Sequence, residues 1–255
     1  EPEETLAEFL GPMVLGLEGY PFDKFTERWF YRAEIHSNWK IFSDATQEFY
    51  HAPVLHARQS PPAFSVPAQQ AGFEAPHYRI DGRHRLITTG GIRPWELPED
   101  RVKPMERAVR AGLFGAWDPY DLGVEKLPAG LNPAGVEPWG NQSFQVWPNL
   151  VFLFWSQGFL YVYHYWPTSY RSHVYEGTLY FMPARTPRER IQHEMIAMSF
   201  KEFGIQDVNT CEATQTMLES RAIRRFPLND QEVLCRHLHQ VCADEVNRYR
   251  QEEGL

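Results

Sequence analysis

Residues Ser143–Glu189 read SFQVWPNLVFLFWSQGFLYVYHYWPTSYRSHVYEGTLYFMPARTPRE, and this stretch decides the fold. β-Branched and aromatic residues dominate it, in runs broken by turn formers. Three strand-like runs follow in order: Ser143–Trp155, Gly158–Trp166 and Ser172–Met182. Gly158 and the Thr168-Ser169 region mark the reversals, so the runs read as an antiparallel meander. Thr186-Pro187-Arg188-Glu189 then opens a long helix. Threonine is the N-cap, proline the first helical residue and Glu189 the partner for a capping box. Helical character runs to about Ser220, with Gly204 as the point where it would break. A last helix is expected from Asn229 to about Glu252, with Asp230 and Glu232 in its first turn.

Upstream, Leu6, Phe9 and Leu10 suggest a short helix ended near Gly11-Pro12. Lys24–Ile35 has strand composition, and Trp39–Tyr50 reads as a helix. Residues 57–140 are the least regular part and hold most of the prolines and glycines. Within them His77–Thr89 suggests one or two strands turning at Asp81-Gly82. Pro98–Leu113 looks helical, with Met105, Val109 and Leu113 at four-residue spacing. Strands followed by long helices make an α+β domain, an antiparallel sheet covered by helices. No internal repeat or linker divides the chain, so one domain is expected over residues 1–255.

The chain has 255 residues, 43% of them hydrophobic and 15% aromatic, enough for a substantial core. Its net charge of −8 argues against a nucleic-acid partner. Cys211, Cys235 and Cys242 are few, odd in number and not in Cys-x-x-Cys spacing. They fit a reduced, cytoplasmic setting and cannot build a cysteine-held cluster. No apolar run reaches the roughly 18 residues of a membrane helix, no signal peptide is expected, and no P-loop, dinucleotide or Gly-x-Ser-x-Gly motif is present. The chain opens on Glu1 without a methionine, so a preceding N-terminal portion is expected.

Chemistry centres on Asn38–His56, NWKIFSDATQEFYHAPVLH. Asn38, Ile41, Asp44, Glu48 and His51 share one helical face, which by itself reads as a solvated stripe. Along an unbroken helix His51 and His56 would point apart, since five residues turn roughly 500°. Pro53 disfavours helix at Ala52, so the helix should end there and the chain curl back. The alternative is two unrelated histidines. Asp207 lies on an apolar stripe with Ile196, Phe200, Phe203 and Cys211. A carboxylate there needs a cationic partner, a helix to cap, or a metal. Two imidazoles and one carboxylate suit Fe(II) with open positions, and zinc accepts the same donors. His237 and His239 suit packing or surface roles, and the strand histidines His164 and His173 stay open.

The pattern Asn38-Trp39-Lys40…Glu48-x-x-His51-x-x-x-x-His56 resembles the catalytic domain of Rieske non-haem iron ring-hydroxylating oxygenase α subunits. Leu127–Gly140 followed by Gln145–Leu150, QVWPNL, and Gln206–Ser220, QDVNTCEATQTMLES, resemble further motifs of that family. The resemblance covers nearly the whole chain. It implies a helix-grip fold (START/Bet v 1-like) and a mononuclear Fe(II) held by His51, His56 and Asp207. It also implies that O2 is used to mono- or dioxygenate an aromatic or similarly flat apolar substrate. Electrons would come from a Rieske [2Fe–2S] cluster in the neighbouring subunit of a homotrimer, fed by a ferredoxin or flavin reductase, or both. Glu48 takes the place of the acid that bridges the cluster to the iron-ligand histidine. Asp44 stands where many relatives have an asparagine beside the iron, and Asn38, Glu212 and Gln215 fall in the surrounding shell. The cluster's Cys-x-His…Cys-x-x-His motif is not in this chain, and the family carries it N-terminally. A non-catalytic lipid- or sterol-binding module of the same fold, and a zinc hydrolase, are the alternative readings.

Overall fold

The computed structural model describes residues 2–56, 75–90, 104, 119 and 121–255. The helix expected at Pro98–Leu113 lies outside the described residues, apart from residue 104. Helix α1 spans Leu6–Leu15, strand β1 Glu27–Ile35, helix α2 Trp39–Ala45 and helix α3 Ala52–Leu55. Strands β2 His77–Asp81 and β3 His84–Gly90 form a hairpin. Strands β4 Trp139–Val146, β5 Leu150–Trp155, β6 Phe159–Ser169 and β7 Ser172–Phe181 follow. Helices α4 Pro187–Glu219 and α5 Val233–Glu253 end the chain. The strands form one seven-stranded sheet in the order β1-β7-β6-β5-β4-β3-β2, antiparallel at every pairing. The α+β, helix-grip architecture expected from the sequence is what the chain adopts.

Alternation along the strands separates two cores. Even-numbered Phe144, Val146, Phe154 and Leu160 pack against Met13, Leu17 and Tyr20 on one face. Odd-numbered Leu153, Trp155, Phe159 and Tyr161 face α4, where Ile196, Ala197 and Phe200 meet them. Farther along α4, Cys211 packs with Val151, Tyr165 and Tyr175. The Phe200 ring lies edge-on to those of Trp155, Phe159 and Tyr161 at 5.5, 5.7 and 4.7 Å. Tyr31 donates its hydroxyl to the Ala197 carbonyl at 2.7 Å, tying β1 to α4.

Several expected boundaries move, each for a local reason. Helix α1 does not stop at Gly11-Pro12: Gly11 takes φ 63°, and Pro12 then restarts the helix. Proline is tolerated in a first turn, and the Asp81 carboxylate accepts from Met13 N–H at 3.1 Å to cap the restart. The run Ser143–Trp155 is two strands, because Pro148 has no N–H for the ladder and Val146 pairs with Leu150 across the turn. Asn149 holds that turn by donating its side-chain amide to the Tyr165 carbonyl at 2.7 Å. Helix α4 runs unbroken through Gly204 for 33 residues. The glycine costs about 1 kcal/mol of helix propensity, which the aromatic packing of Phe200 and Phe203 in the turn before it outweighs. At its start Thr186 caps Glu189 N–H, but Glu189 reaches back to Arg185 N–H, so the capping box is only half made. Complete boxes are made at Thr5 and Glu8, before α1, and at Asn229 and Glu232, before α5.

Candidate metal centre

The segment around the two histidines is not one helix. Asn38 caps α2, its Oδ1 accepting from Lys40 N–H at 3.1 Å. The helix then ends at Ala45, where Thr46 and Gln47 side chains both donate to the Ser43 carbonyl. Glu48 is extended, Phe49–His51 make one 3-10 turn, and Pro53 sits in the first turn of α3. The break therefore falls ahead of Glu48, and Pro53 opens a helix instead of ending one. His51 and His56 flank this single turn, with ring centroids 5.3 Å apart.

Helix α4 brings Asp207 to meet them. One donor atom from each of His51, His56 and Asp207 lies within 4.8 Å of the other two. Nε2 of His56 is 3.3 Å from Asp207 Oδ1, and Nε2 of His51 is 3.9 Å from it. Metal–nitrogen and metal–oxygen bonds of about 2.0–2.2 Å span such separations across one ion.

Hydrogen bonds on the far side of each ring fix which nitrogen faces the centre. His51 Nδ1–H donates to the Glu48 carboxylate at 2.8 Å and to its carbonyl at 2.9 Å. His56 Nδ1–H donates to Gln206 Oε1 at 2.7 Å. Both Nε2 atoms are then bare electron-pair donors. They face Asp207 Oδ1, a buried oxygen without a hydrogen-bond partner among the described residues. Three electron-rich atoms converging without a proton between them repel one another unless a cation sits among them, so the donor set fits a metal ion.

The electrostatics agree. Burial pulls the His51 pKa down, but the Glu48 hydrogen bond and the Glu48 and Asp207 charges outweigh it, and the net shift is upward. Burial raises Glu48, against the bonds it accepts from His51. The carboxylates of Glu48 and Asp207 thus make this centre favourable to a positive charge.

An apolar cavity of about 90 Å³ opens beside the donors, lined by Phe42, Phe49, Tyr161, Tyr163, Phe200 and Phe203 among others. On the opposite side lies a groove of about 780 Å³ that includes Glu48, Tyr50, Leu228 and Glu232. Ala45, His51 and Asp207 line both, so the donors sit in the wall between cavity and groove.

The other residues singled out in the sequence lie elsewhere. Asp44 Oδ2 accepts from His239 Nε2–H at 2.8 Å, joining α2 to α5. Glu212 accepts from His36 N–H at 3.0 Å, and Gln215 Oε1 accepts from Asn38 N–H at 2.9 Å. These two, with Asn38, tie α4 to the start of α2. His173 is buried and donates to the Ser37 carbonyl at 2.7 Å, while His164 stacks on Trp166. Gln206 escaped the sequence reading, since nothing but its place before Asp207 marks it.

Fold and donor set together define a helix-grip domain carrying a two-histidine, one-carboxylate group. A family model for the ring hydroxylating alpha subunit (catalytic domain) matches residues 22–248, and the chain belongs to that family. Similar solved structures include the quaternary ammonium Rieske monooxygenase CntA with an inhibitor, at 16% identity and TM-score 0.63, covering 94% of this chain and 56% of that one. Dicamba monooxygenase bound to dicamba matches at 11% identity and TM-score 0.54, covering 91% and 60%. Naphthalene 1,2-dioxygenase from Rhodococcus sp. bound to indole matches at 16% identity and TM-score 0.52, covering 84% and 50%. The chain thus spans a little over half the length of the first of these, and the likeness is one of fold. A comparison with the curated proteins finds no match. No helix among the described residues is long and apolar enough to cross a membrane.

Proposed function

We propose that His51, His56 and Asp207 hold one mononuclear Fe(II), and that the chain is the catalytic domain of a mono- or dioxygenase for a flat, apolar, aromatic substrate. The observation that carries this is the convergence of three bare donor atoms at the mouth of an aromatic cavity. A carrier of lipid or sterol has a use for the cavity but none for the convergence. Bound iron supplies the activation of O2.

The chain's own residues do the rest. Glu48 holds the His51 Nδ1 proton and Gln206 the His56 Nδ1 proton, which keeps both Nε2 lone pairs directed at the metal. Aromatic walls exclude water and hold a planar molecule against the open positions of the metal. Glu48 also lines the outer groove. That is the side on which a Rieske [2Fe–2S] cluster of a neighbouring subunit in a homotrimer would deliver electrons, replenished by a ferredoxin or flavin reductase. Asp44, through His239, keeps α5 in place along that groove.

Anaerobic purification, Fe(II) loading and metal analysis test the assignment. The expected content is about one iron per chain, as three ligands with open positions hold one ion. His51→Ala and Asp207→Ala should each abolish it. Full iron occupancy in either variant, or retention of zinc in preference to iron, refutes the reading.

A further inference from the structure

The cavity has an end that the metal donors do not occupy. Asn141 on β4 and Trp155 on β5 are directly paired across the ladder, and both line the cavity. Asn141 is 2% exposed and Trp155 7%. Yet Asn141 Oδ1 and Trp155 Nε1 are buried atoms with no hydrogen-bond partner among the described residues. Native proteins rarely leave such groups unpaired, and each instance calls for an explanation.

Neither residue is loosely held. The Asn141 backbone N–H donates to Thr89 Oγ1 at 3.1 Å. Gly140, the preceding residue, lets β3 and β4 approach so closely that a Cβ there would lie 2.2 Å from the Gly90 carbonyl oxygen. The Trp155 ring stacks on Phe159 at 5.5 Å and meets Phe200 edge-on at 5.5 Å. The Asn141 backbone and the Trp155 ring are therefore held in place while their polar atoms are left unsatisfied, which is the arrangement of a preorganised binding site. Phe200, the ring against Trp155, precedes Asp207 by seven residues on α4, two turns or roughly 10 Å. The pair thus marks the end of the cavity remote from the metal donors.

We propose that Asn141 and Trp155 form a specificity subsite for a neutral hydrogen-bonding group, a hydroxyl or a carboxamide, on the part of the substrate farthest from the reacting carbon. The proposal rests on the cavity being the substrate site of the oxygenase. An indole N–H only donates, and an amide oxygen only accepts. A hydroxyl accepts from Trp155 and donates to Asn141, and a primary carboxamide does the same with two atoms. Among the described residues no lysine or arginine lines the cavity, so a carboxylate would find no counter-cation among them. Purely apolar substrates would leave both protein groups unpaired, which is how such a site rejects them.

Isothermal titration of 2-naphthol, naphthalene-2-carboxamide, naphthalene and 2-naphthoate tests this, with and without Fe(II). The hydroxyl and carboxamide probes should bind about tenfold more tightly than naphthalene, the gain of one to two net hydrogen bonds. Trp155→Phe keeps the ring and removes the N–H, and Asn141→Leu removes the amide. Each should bring the preference for 2-naphthol over naphthalene to within about threefold. Should Asn141→Leu fail to fold, Trp155→Phe alone decides. Equal binding of 2-naphthol and naphthalene to the wild type overturns the subsite. So does a preference that survives in Trp155→Phe, tightest binding by 2-naphthoate, or no binding by any probe. If the chain holds no iron but still prefers 2-naphthol, the oxygenase reading falls and the subsite stands. If it holds iron and the probes bind alike, only the subsite falls.

Discussion

Replacing Gly177 by alanine places one methyl group where the cavity wall has no room. Gly177 on β7 lies opposite Tyr163, under the hydroxyls of Tyr161 and Tyr175. Those hydroxyls bond to each other at 2.8 Å, and both residues are buried. An added Cβ would sit 2.5 Å from the Tyr161 hydroxyl, 2.8 Å from that of Tyr175 and 3.0 Å from Tyr161 Cε2. Rigid rings cannot swing aside as a flexible chain end would. Overpacking of this kind costs about 1–3 kcal/mol, and displacing the hydroxyl pair forfeits about 1 kcal/mol of hydrogen bond. Against this, alanine in a strand gains about 0.5–1 kcal/mol over glycine in backbone entropy. The net loss is about 2 kcal/mol, which lowers Tm by about 4–8 °C in a domain of this size. Calorimetry on a mutant cycle checks the cause. In a Tyr161→Phe, Tyr175→Phe background both clashing oxygens are gone, and Gly177→Ala should fall within about 0.5 kcal/mol of neutral. A Gly177→Ala variant as stable as the wild type refutes the reasoning. A penalty of equal size in both backgrounds refutes it too, because the tyrosines would then not be the reason for the glycine.

Gln206→Leu removes the acceptor that orients His56, and Fe(II) affinity should fall about 10–100-fold in a chelator competition; unchanged affinity would show that the ring needs no such support. Among the described residues nothing beyond the helix's own backbone lies within 4 Å of where a Cβ on Gly204 would sit, so Gly204→Ala should stabilise α4 by about 1 kcal/mol in urea unfolding, and a destabilised variant would contradict the open space found there. The His239–Asp44 pair should make stability depend on pH. The Asp44 hydrogen bond raises the His239 pKa, against burial and the charges of Lys40 and Arg85. Burial raises Asp44, so that group too takes up a proton more readily when folded. The histidine's contribution is therefore complete below its unfolded value of about 6.5 and is lost as pH rises through the raised folded value. His239→Gln should cost about 1 kcal/mol at pH 6, a figure kept low because His239 is 45% exposed. Its cost should shrink at pH 9, and a pH-independent difference from the wild type would count against the pairing.

The meander and the long helix were legible because their signals are local. Alternation in Ser172–Met182 and the Thr186-Pro187 start need no partner to be recognised. Boundaries went astray where a partner decides them. Nothing near Gly11-Pro12 in the sequence reveals that Asp81 will cap a restarted helix. The helix read over Trp39–Tyr50 carried a sound amphipathic pattern. Thr46 and Gln47 end it early by taking the Ser43 carbonyl, a competition that periodicity does not register.

The candidate site divides in the same way. His51, His56 and Asp207 stood out because a polar residue on an apolar stripe, or two histidines about a proline, is unusual within one segment. Gln206, Asn141 and Trp155 were invisible because each is ordinary in its own element. Their meaning comes from register: Asn141 falls opposite Trp155 only because β4 and β5 pair with Val146 against Leu150 at the turn. Shifting that pairing by one residue would turn the side chains of one strand to the other face of the sheet and part Asn141 from Trp155. Pro148 ends the ladder and Asn149 locks the turn to β6, so the residues that keep the register lie far from the cavity whose polar end they position. On this argument Asn149→Ala, which touches nothing in the cavity, should weaken the preference for 2-naphthol over naphthalene, and an unaltered preference would mean that the strand pairing holds without its turn.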